Sequence, residues 1–212
     1  MPPANPDAKK QAFFLALGDA VSLSVDCRFF RLANAAGDPV SIGRKRVELI
    51  AGFACMRMHL AWEDFLEEVF ARYLCGAQPP GGPGPILLQP ACTSIPAARA
   101  TILGGKDFVS WNRKTAKKRA RRYFDAGYGF TPGLAAAARS IDTLVATRNA
   151  VAHRSASASR VFRLRVQAHL GFIPAGLTSG GFLMKMDPNS PNRRIIEVLA
   201  LDLRAAANTI VP

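Results

Sequence analysis

Residues 44–74 read RKRVELIAGFACMRMHLAWEDFLEEVFARYL, and this stretch decides the fold class. Val47, Ile50, Ala51, Ala54, Met58, Ala61, Phe65, Val69 and Leu74 recur at three- and four-residue intervals over many turns, which is the period of an α-helix with one buried face. Gly76 and then Pro79, Pro80 and Pro83 end it, because glycine accepts the left-handed cap and proline cannot extend the helix.

Working outward, Lys9 to Leu32 carries Phe13, Leu17, Ala20, Val21 and Ser24 at helical spacing, and the turn cluster Asn34–Pro39 closes that first helix. On the other side, Gln78 to Pro96 is a Pro- and Gly-rich loop interrupted only by the apolar run Ile86 to Leu88. Loops of that length in a compact domain are usually functional or mobile. A third helix starts after Ser110 or Asn112, either of which caps it, and continues to Asp125 with Ala116, Ala120 and Phe124 on one face. A fourth starts near Pro132 and runs from about Gly133 to Arg154, with Ile141, Leu144, Val145, Val151 and Ala152 as its apolar stripe. Residues 159–169 fit two patterns. Phe162, Leu164 and Val166 alternate with polar residues as in a strand, whereas Val161, Leu164 and Ala168 keep helical spacing. Gly171 to Asn192 is turn-rich, and Arg194 to Ile210 closes the chain as a last helix. The expected fold is all-α, an antiparallel helical bundle with a long Pro/Gly-rich loop (78–96) and an irregular C-terminal segment. It forms one domain over residues 1–212, with a core from about 9 to 210.

Twenty-eight Lys and Arg against fifteen Asp and Glu leave a net charge of +13. An excess of this size concentrates polyanions at the surface and speeds their capture, so nucleic acid is the first partner to consider, ahead of acidic proteins or anionic membranes. No apolar run approaches the roughly 18–20 residues of a membrane span. The polar, Pro-rich Met1–Lys10 has no signal-peptide core, so a cytoplasmic location is expected. Cys27, Cys55, Cys75 and Cys92 lack zinc-knuckle spacing and have no histidine at ligand distance, which predicts reduced thiols, no metal and no cofactor.

Arg148 is the anomaly. Its neighbours at three, four and seven residues, Ile141, Leu144, Val145, Val151 and Ala152, are all apolar. A guanidinium in such a stripe is costly unless a core acid such as Glu63 or Asp64, a second subunit or a substrate phosphate satisfies it. Asp142, Asn149 and His153 form a polar row on another side of the same helix. The segment Ile141-Asp-Thr-Leu-Val-Ala-Thr-Arg-Asn-Ala-Val-Ala-His-Arg154 resembles the signature helix of the HEPN superfamily, in which Arg and a following polar residue precede His by four to six intervening positions. The helix around Met56–Phe70 resembles that family's acidic-aromatic helix. The stretch from Trp111 through Gly129-Phe130, with the tail after His153, resembles its RiboL-PSP-HEPN-like subgroup. The likeness covers roughly residues 45–210 and is diffuse except at the motif.

The resemblance implies a metal-independent endoribonuclease, a toxin or an antiviral or stress effector, acting as a two-fold homodimer whose paired motifs face one cleft. Arg148 holds the scissile phosphate, His153 moves protons, Asn149 orients one of them, and Glu63 is a supporting acid. An imidazole serves as acid or base near neutrality, and a guanidinium fork grips two phosphate oxygens. Five positions separate Arg148 from His153, about 140° around an ideal helix, so they converge only if the helix loosens near His153 or a second subunit completes the site. The residues after the motif, Arg154, Ser155 and Ala156, include no tyrosine, so the partner-catalysed tyrosine modification of some HEPN toxins is not expected. Lys114, Lys117, Lys118, Arg121 and Arg122, with Arg154, make an RNA-binding face on which Trp111, Tyr123 or Tyr128 stack bases. His59 reads as a surface partner of Glu63, four residues on, and His169 has no supporting motif. The rival readings are a non-catalytic HEPN module that dimerises and binds RNA or an antitoxin, and a DNA-binding protein using the 114–122 helix.

Overall fold

The computed structural model describes residues 5–153 and 155–212. Helix α1 spans Pro6–Asp26 and a 3-10 turn follows at Cys27–Phe29. Strands β1 (Arg31–Ala33) and β2 (Pro39–Ser41) then pair antiparallel, Leu32 opposite Val40. The first helix therefore stops six residues before Leu32. Asn34 Oδ1 accepts the amides of Ala36 and Asp38, so the expected turn cluster closes a hairpin and not a helix.

Helix α2 runs Arg44–Leu74, as its periodicity predicts. Helix α3 (Ile95–Leu103) occupies ground expected to be loop at its start. Ser94 Oγ accepts the Ala97 amide, Pro96 sits in the first turn where no amide is needed, and Gly104 caps the end at φ 57°. Helix α4 is Arg113–Tyr123, capped by Asn112 Oδ1 on the Thr115 amide. The expected helix from 133 to 154 is two helices, α5 (Phe130–Ala136) and α6 (Ala138–Ala152), separated at Ala137, whose backbone leaves the α region (φ −92°, ψ 18°). Residues 159–169 are helical, within α7 (Ala156–Leu170); Phe162 and Val166 are buried one turn apart while Leu164 is exposed, so the strand-like alternation is fortuitous. The turn-rich segment holds α8 (Ser179–Leu183) and a second hairpin, β3 (Met186–Asp187) and β4 (Ser190–Arg194), before α9 (Ile195–Ile210). The fold is all-α, with two small two-stranded sheets among the described residues. No described helix is long and apolar enough to cross a membrane.

The chain divides into two compact units. The first comprises Met1–Leu15, Ala61–Ile141 and Asp202–Pro212; the second comprises Ala16–Leu60 and Asp142–Leu201. The first is built on aromatics. Phe13 stacks on Phe65 at 4.9 Å, and Phe70 meets Phe124 and Phe130 at 4.6 and 5.2 Å. Tyr73 donates its hydroxyl to the Ile210 carbonyl and Lys10 its ammonium to that of Val211, each at 2.8 Å, fastening the C-terminus to α2 and α1. Glycine is required where α5 crosses α9: a Cβ on Gly129 would lie 2.4 Å from the Thr209 carbonyl oxygen. The Pro/Gly loop is pinned along its length by bonds from Gly81 to Pro212, Leu88 to Tyr123, Asp125 to Ile86 and Cys92 to Leu74. Buried Glu68 collects Lys9 at 3.1 Å, Arg72 at 2.5 Å and Arg99.

In the second unit Leu17, Ala51, Ala54, Met58, Leu144, Phe162, Phe182 and Leu199 are buried. Helix α8 packs its glycines on α2, where a Cβ on Gly180 would fall 1.7 Å from the Glu48 carbonyl oxygen. The Thr178 hydroxyl donates to Glu48 Oε2 at 2.7 Å. His169 and Asp187, both buried, meet at 2.7 Å and tie α7 to the second hairpin, with the imidazole edge-on to Phe182.

Candidate functional site

Helix α6 sets out the motif. Its apolar stripe is used within the second unit: Leu144 is buried and its carbonyl receives the Cys55 thiol at 3.9 Å, while Val151 faces Gly52, where a Cβ would sit 3.4 Å from the valine methyl. Gly52, Cys55 and His59 fall within about 60° on α2, so one face of that helix lines the motif side of α6.

Arg148 is half-buried at this contact. Its Nη1 donates to Asn149 Oδ1 at 2.9 Å, and among the described residues it forms no ion pair with a carboxylate. Its charge is felt by the two residues beneath it. Burial pushes the Cys55 thiol up to about 12 against the pull of Arg148. Burial first, and Arg148 second, hold His59 down at about 4. His59 is thus a buried, neutral imidazole at physiological pH, whereas a surface position is expected from its sequence.

His153 lies just beyond the last residue of α6 and is exposed. Its amide donates to the Asn149 carbonyl at 2.8 Å, so the helical bond pattern persists to the motif's end and the backbone does not loosen there. Within one chain Arg148 and His153 therefore keep their angular separation of about 140°. Asn149 is engaged by Arg148, and Asp142 by Arg165 at 3.2 Å. Glu63 is half-buried on α2 and belongs to the first unit, whereas the motif belongs to the second. Arg154 lies outside the described residues.

The basic helix α4 is part of the first unit. Lys114, Lys118, Arg121 and Arg122 are exposed and Lys117 is half-buried, over an apolar underside of Ala116, Ala120 and Tyr123. The aromatics expected to stack bases are not free to do so. Trp111 is buried, donates its Nε1–H to Glu67 at 3.1 Å and is covered by the Arg119 guanidinium at 4.5 Å. Tyr123 is buried with its hydroxyl on the Thr101 carbonyl at 3.2 Å, and Tyr128 donates to the Pro83 carbonyl at 2.8 Å. Each ring is recruited to fasten a loop. Two residues that sequence reasoning misses, His59 and Arg119, stand out here. For His59 a signal exists, since it shares the buried register of Cys55 and Trp62.

No family model matches the chain, and neither a curated protein nor a solved structure matches it.

Proposed function

We propose that this chain is a metal-independent endoribonuclease of the HEPN type, acting in the cytoplasm on RNA as a homodimer, in the role of a toxin or an antiviral or stress effector restrained by an antitoxin protein. The observation that carries the reading is Arg148, a half-buried guanidinium with no carboxylate partner among the described residues, bonded to the motif's own Asn149. Such a cation is left to a phosphate, and the neutral His59 beneath it does not compete. In the reaction the RNA 2′-hydroxyl attacks phosphorus as one imidazole removes its proton. The guanidinium carries the charge on the phosphorane, and a second imidazole protonates the departing 5′-oxygen, leaving a 2′,3′-cyclic phosphate.

A single His153, turned away from Arg148, does not supply both proton transfers, so the reading requires a second copy. An exposed stripe on α2 supports one. Leu49, Phe53 and Leu60 are 58%, 53% and 57% exposed and, with half-buried Met56, fall within about 60° of the helix surface, next to the face that meets α6. The non-catalytic alternative, a dimerising module that binds RNA or an antitoxin, is favoured by one fact: Asn149 and Asp142 are both already bonded within the chain.

Cleavage of mixed RNA in EDTA by wild type, Arg148→Ala and His153→Ala separates the two. Cutting by wild type alone, with 2′,3′-cyclic ends, supports the nuclease. Inactivity of all three with RNA still bound leaves the module.

A further inference from the structure

In the first unit, the last turn of α3, the segment after it and one side of α4 enclose a cavity of about 420 Å³. Four cations line it: Lys106, Lys118, Arg119 and Arg122. No carboxylate does among the described residues. Glu67, whose charge reaches Arg119, is held behind it by the Trp111 indole and by Arg99. On α4 these cations take a different side from Lys117 and Arg121, which lie about 60–160° further round the helix. The basic helix thus has two faces, one lining a concavity and one outside it that carries half-buried Lys117 and exposed Arg121.

The rest of the cavity wall is of another character. Ile102, Leu103 and Val109 give it an apolar floor. In the last turn of α3 the carbonyls of Ala100, Thr101 and Leu103 already accept from the Gly104 amide, the Tyr123 hydroxyl and the Lys106 amide. The dipole at that end amounts to about half a negative charge, small against four cations. Apolar floor and cationic wall together suit a ligand with a flat ring at one end and phosphate at the other. The volume falls within the roughly 300–1,000 Å³ of small-ligand sites.

We infer that this cavity binds a nucleoside phosphate, with Lys106, Lys118, Arg119 and Arg122 on the phosphate and the base against Ile102, Leu103 and Val109. Arg119 is fixed in advance by its stack on Trp111 and its bond to the Ser110 carbonyl at 3.4 Å, so little order is lost on binding. The inference stands apart from the ribonuclease reading, since none of its residues belongs to the motif. The nucleoside phosphate is either free or the phosphorylated end of an RNA strand.

Calorimetric titration of the full chain tests it, with AMP, adenosine, inorganic phosphate, and a short RNA bearing either a 5′-phosphate or a 5′-hydroxyl. The variants are Lys106→Ala, the double Lys118→Ala/Arg122→Ala, and the double Lys117→Ala/Arg121→Ala, which removes the same charge from the face outside the cavity. AMP should bind about 10-fold or more tighter than adenosine or phosphate alone, as each half of the cavity contributes. The cavity double should weaken AMP about 10-fold or more, Lys106→Ala about 3-fold or more, and the double outside the cavity less than about 2-fold. Tighter binding of the 5′-phosphorylated RNA than of AMP, lost with the 5′-hydroxyl, assigns the site to RNA ends; the reverse order assigns it to free nucleotide. Equal weakening by the two doubles, phosphate binding as well as AMP, or no AMP binding at millimolar concentration would overturn the inference. The cavity lysines and Arg122 are solvent-exposed apart from their contact with the wall, and matched thermal midpoints verify that the variants fold.

Discussion

The sharpest physical test of the site concerns His59. The imidazole is 6% exposed and sits under Arg148, and burial with that charge lowers its pKa from 6.5 to about 4. In the unfolded chain it takes up a proton below about pH 6.5, whereas in the folded protein it does so only near 4, so acid favours unfolding across that window. Stability is full above pH 6.5 and falls as pH drops towards 4. Integrating over the two values gives a loss of about 1.8 kcal/mol between pH 7 and pH 5, and about 2.8 by pH 4, at 1.36 kcal/mol per pKa unit. The assay is urea unfolding of wild type and His59→Leu at pH 7 and pH 5, with NMR titration of the histidine ring protons. The chain has three histidines, so assignment by single substitution is direct. The leucine variant should lose about 1.8 kcal/mol less than wild type over the same interval. Arg148→Met should raise the His59 pKa yet leave it below 6.5, since burial is the larger cause. A His59 that titrates near 6.5 in the native protein, or equal pH sensitivity in the two proteins, would refute the burial of this residue.

Glu68→Gln should reduce urea-measured stability by about 3 kcal/mol at neutral pH, since a buried carboxylate among cations is difficult to replace. Burial raises that carboxyl, but bonds and charge from Arg72 and Lys9 more than offset it and hold it at about 2, so its contribution is present above pH 4.5 and lost as acid titrates it towards 2. Gly180→Ala should cost about 3 kcal/mol or more in chemical denaturation, because its Cβ would overlap the Glu48 carbonyl and backbone must move. Asn112→Ala should lower stability by about 1 kcal/mol through loss of the α4 cap, read as faster amide exchange at the start of that helix.

Long periodic elements are legible in the amino-acid order alone. Helix α2 has the bounds its apolar spacing implies, and the Asn112 cap and the helical end of the chain are readable from single residues. Where the pattern misleads, the reasons are local. Pro96 lies within a run of prolines and glycines, which hides the Ser94 cap and the Gly104 stop around α3. Ala137 breaks α5 from α6 with no residue that signals a break. At the site, the anomaly of Arg148 is visible as a cation in an apolar stripe. That it pairs with no carboxylate among the described residues, and that its charge reaches His59, are not, because both depend on which turn of α2 faces α6. The aromatic rings of Trp111, Tyr123 and Tyr128 mislead, since a chemical type suited to stacking says nothing of whether the chain itself has already engaged it.

The unit boundary passes through four helices, since α1, α2, α6 and α9 each contribute residues to both units. Neither unit is a continuous piece of chain. The first cannot close until residues 202–212 are made, for Tyr73 and Lys10 find their acceptors only at Ile210 and Val211. During synthesis the N-terminal helix must wait for partners some two hundred positions later, and contacts of such separation slow folding. The first unit is therefore expected to close late, after these distant segments have met. A chain made only as far as His153 would carry that segment before the acceptors of Tyr73 and Lys10 existed.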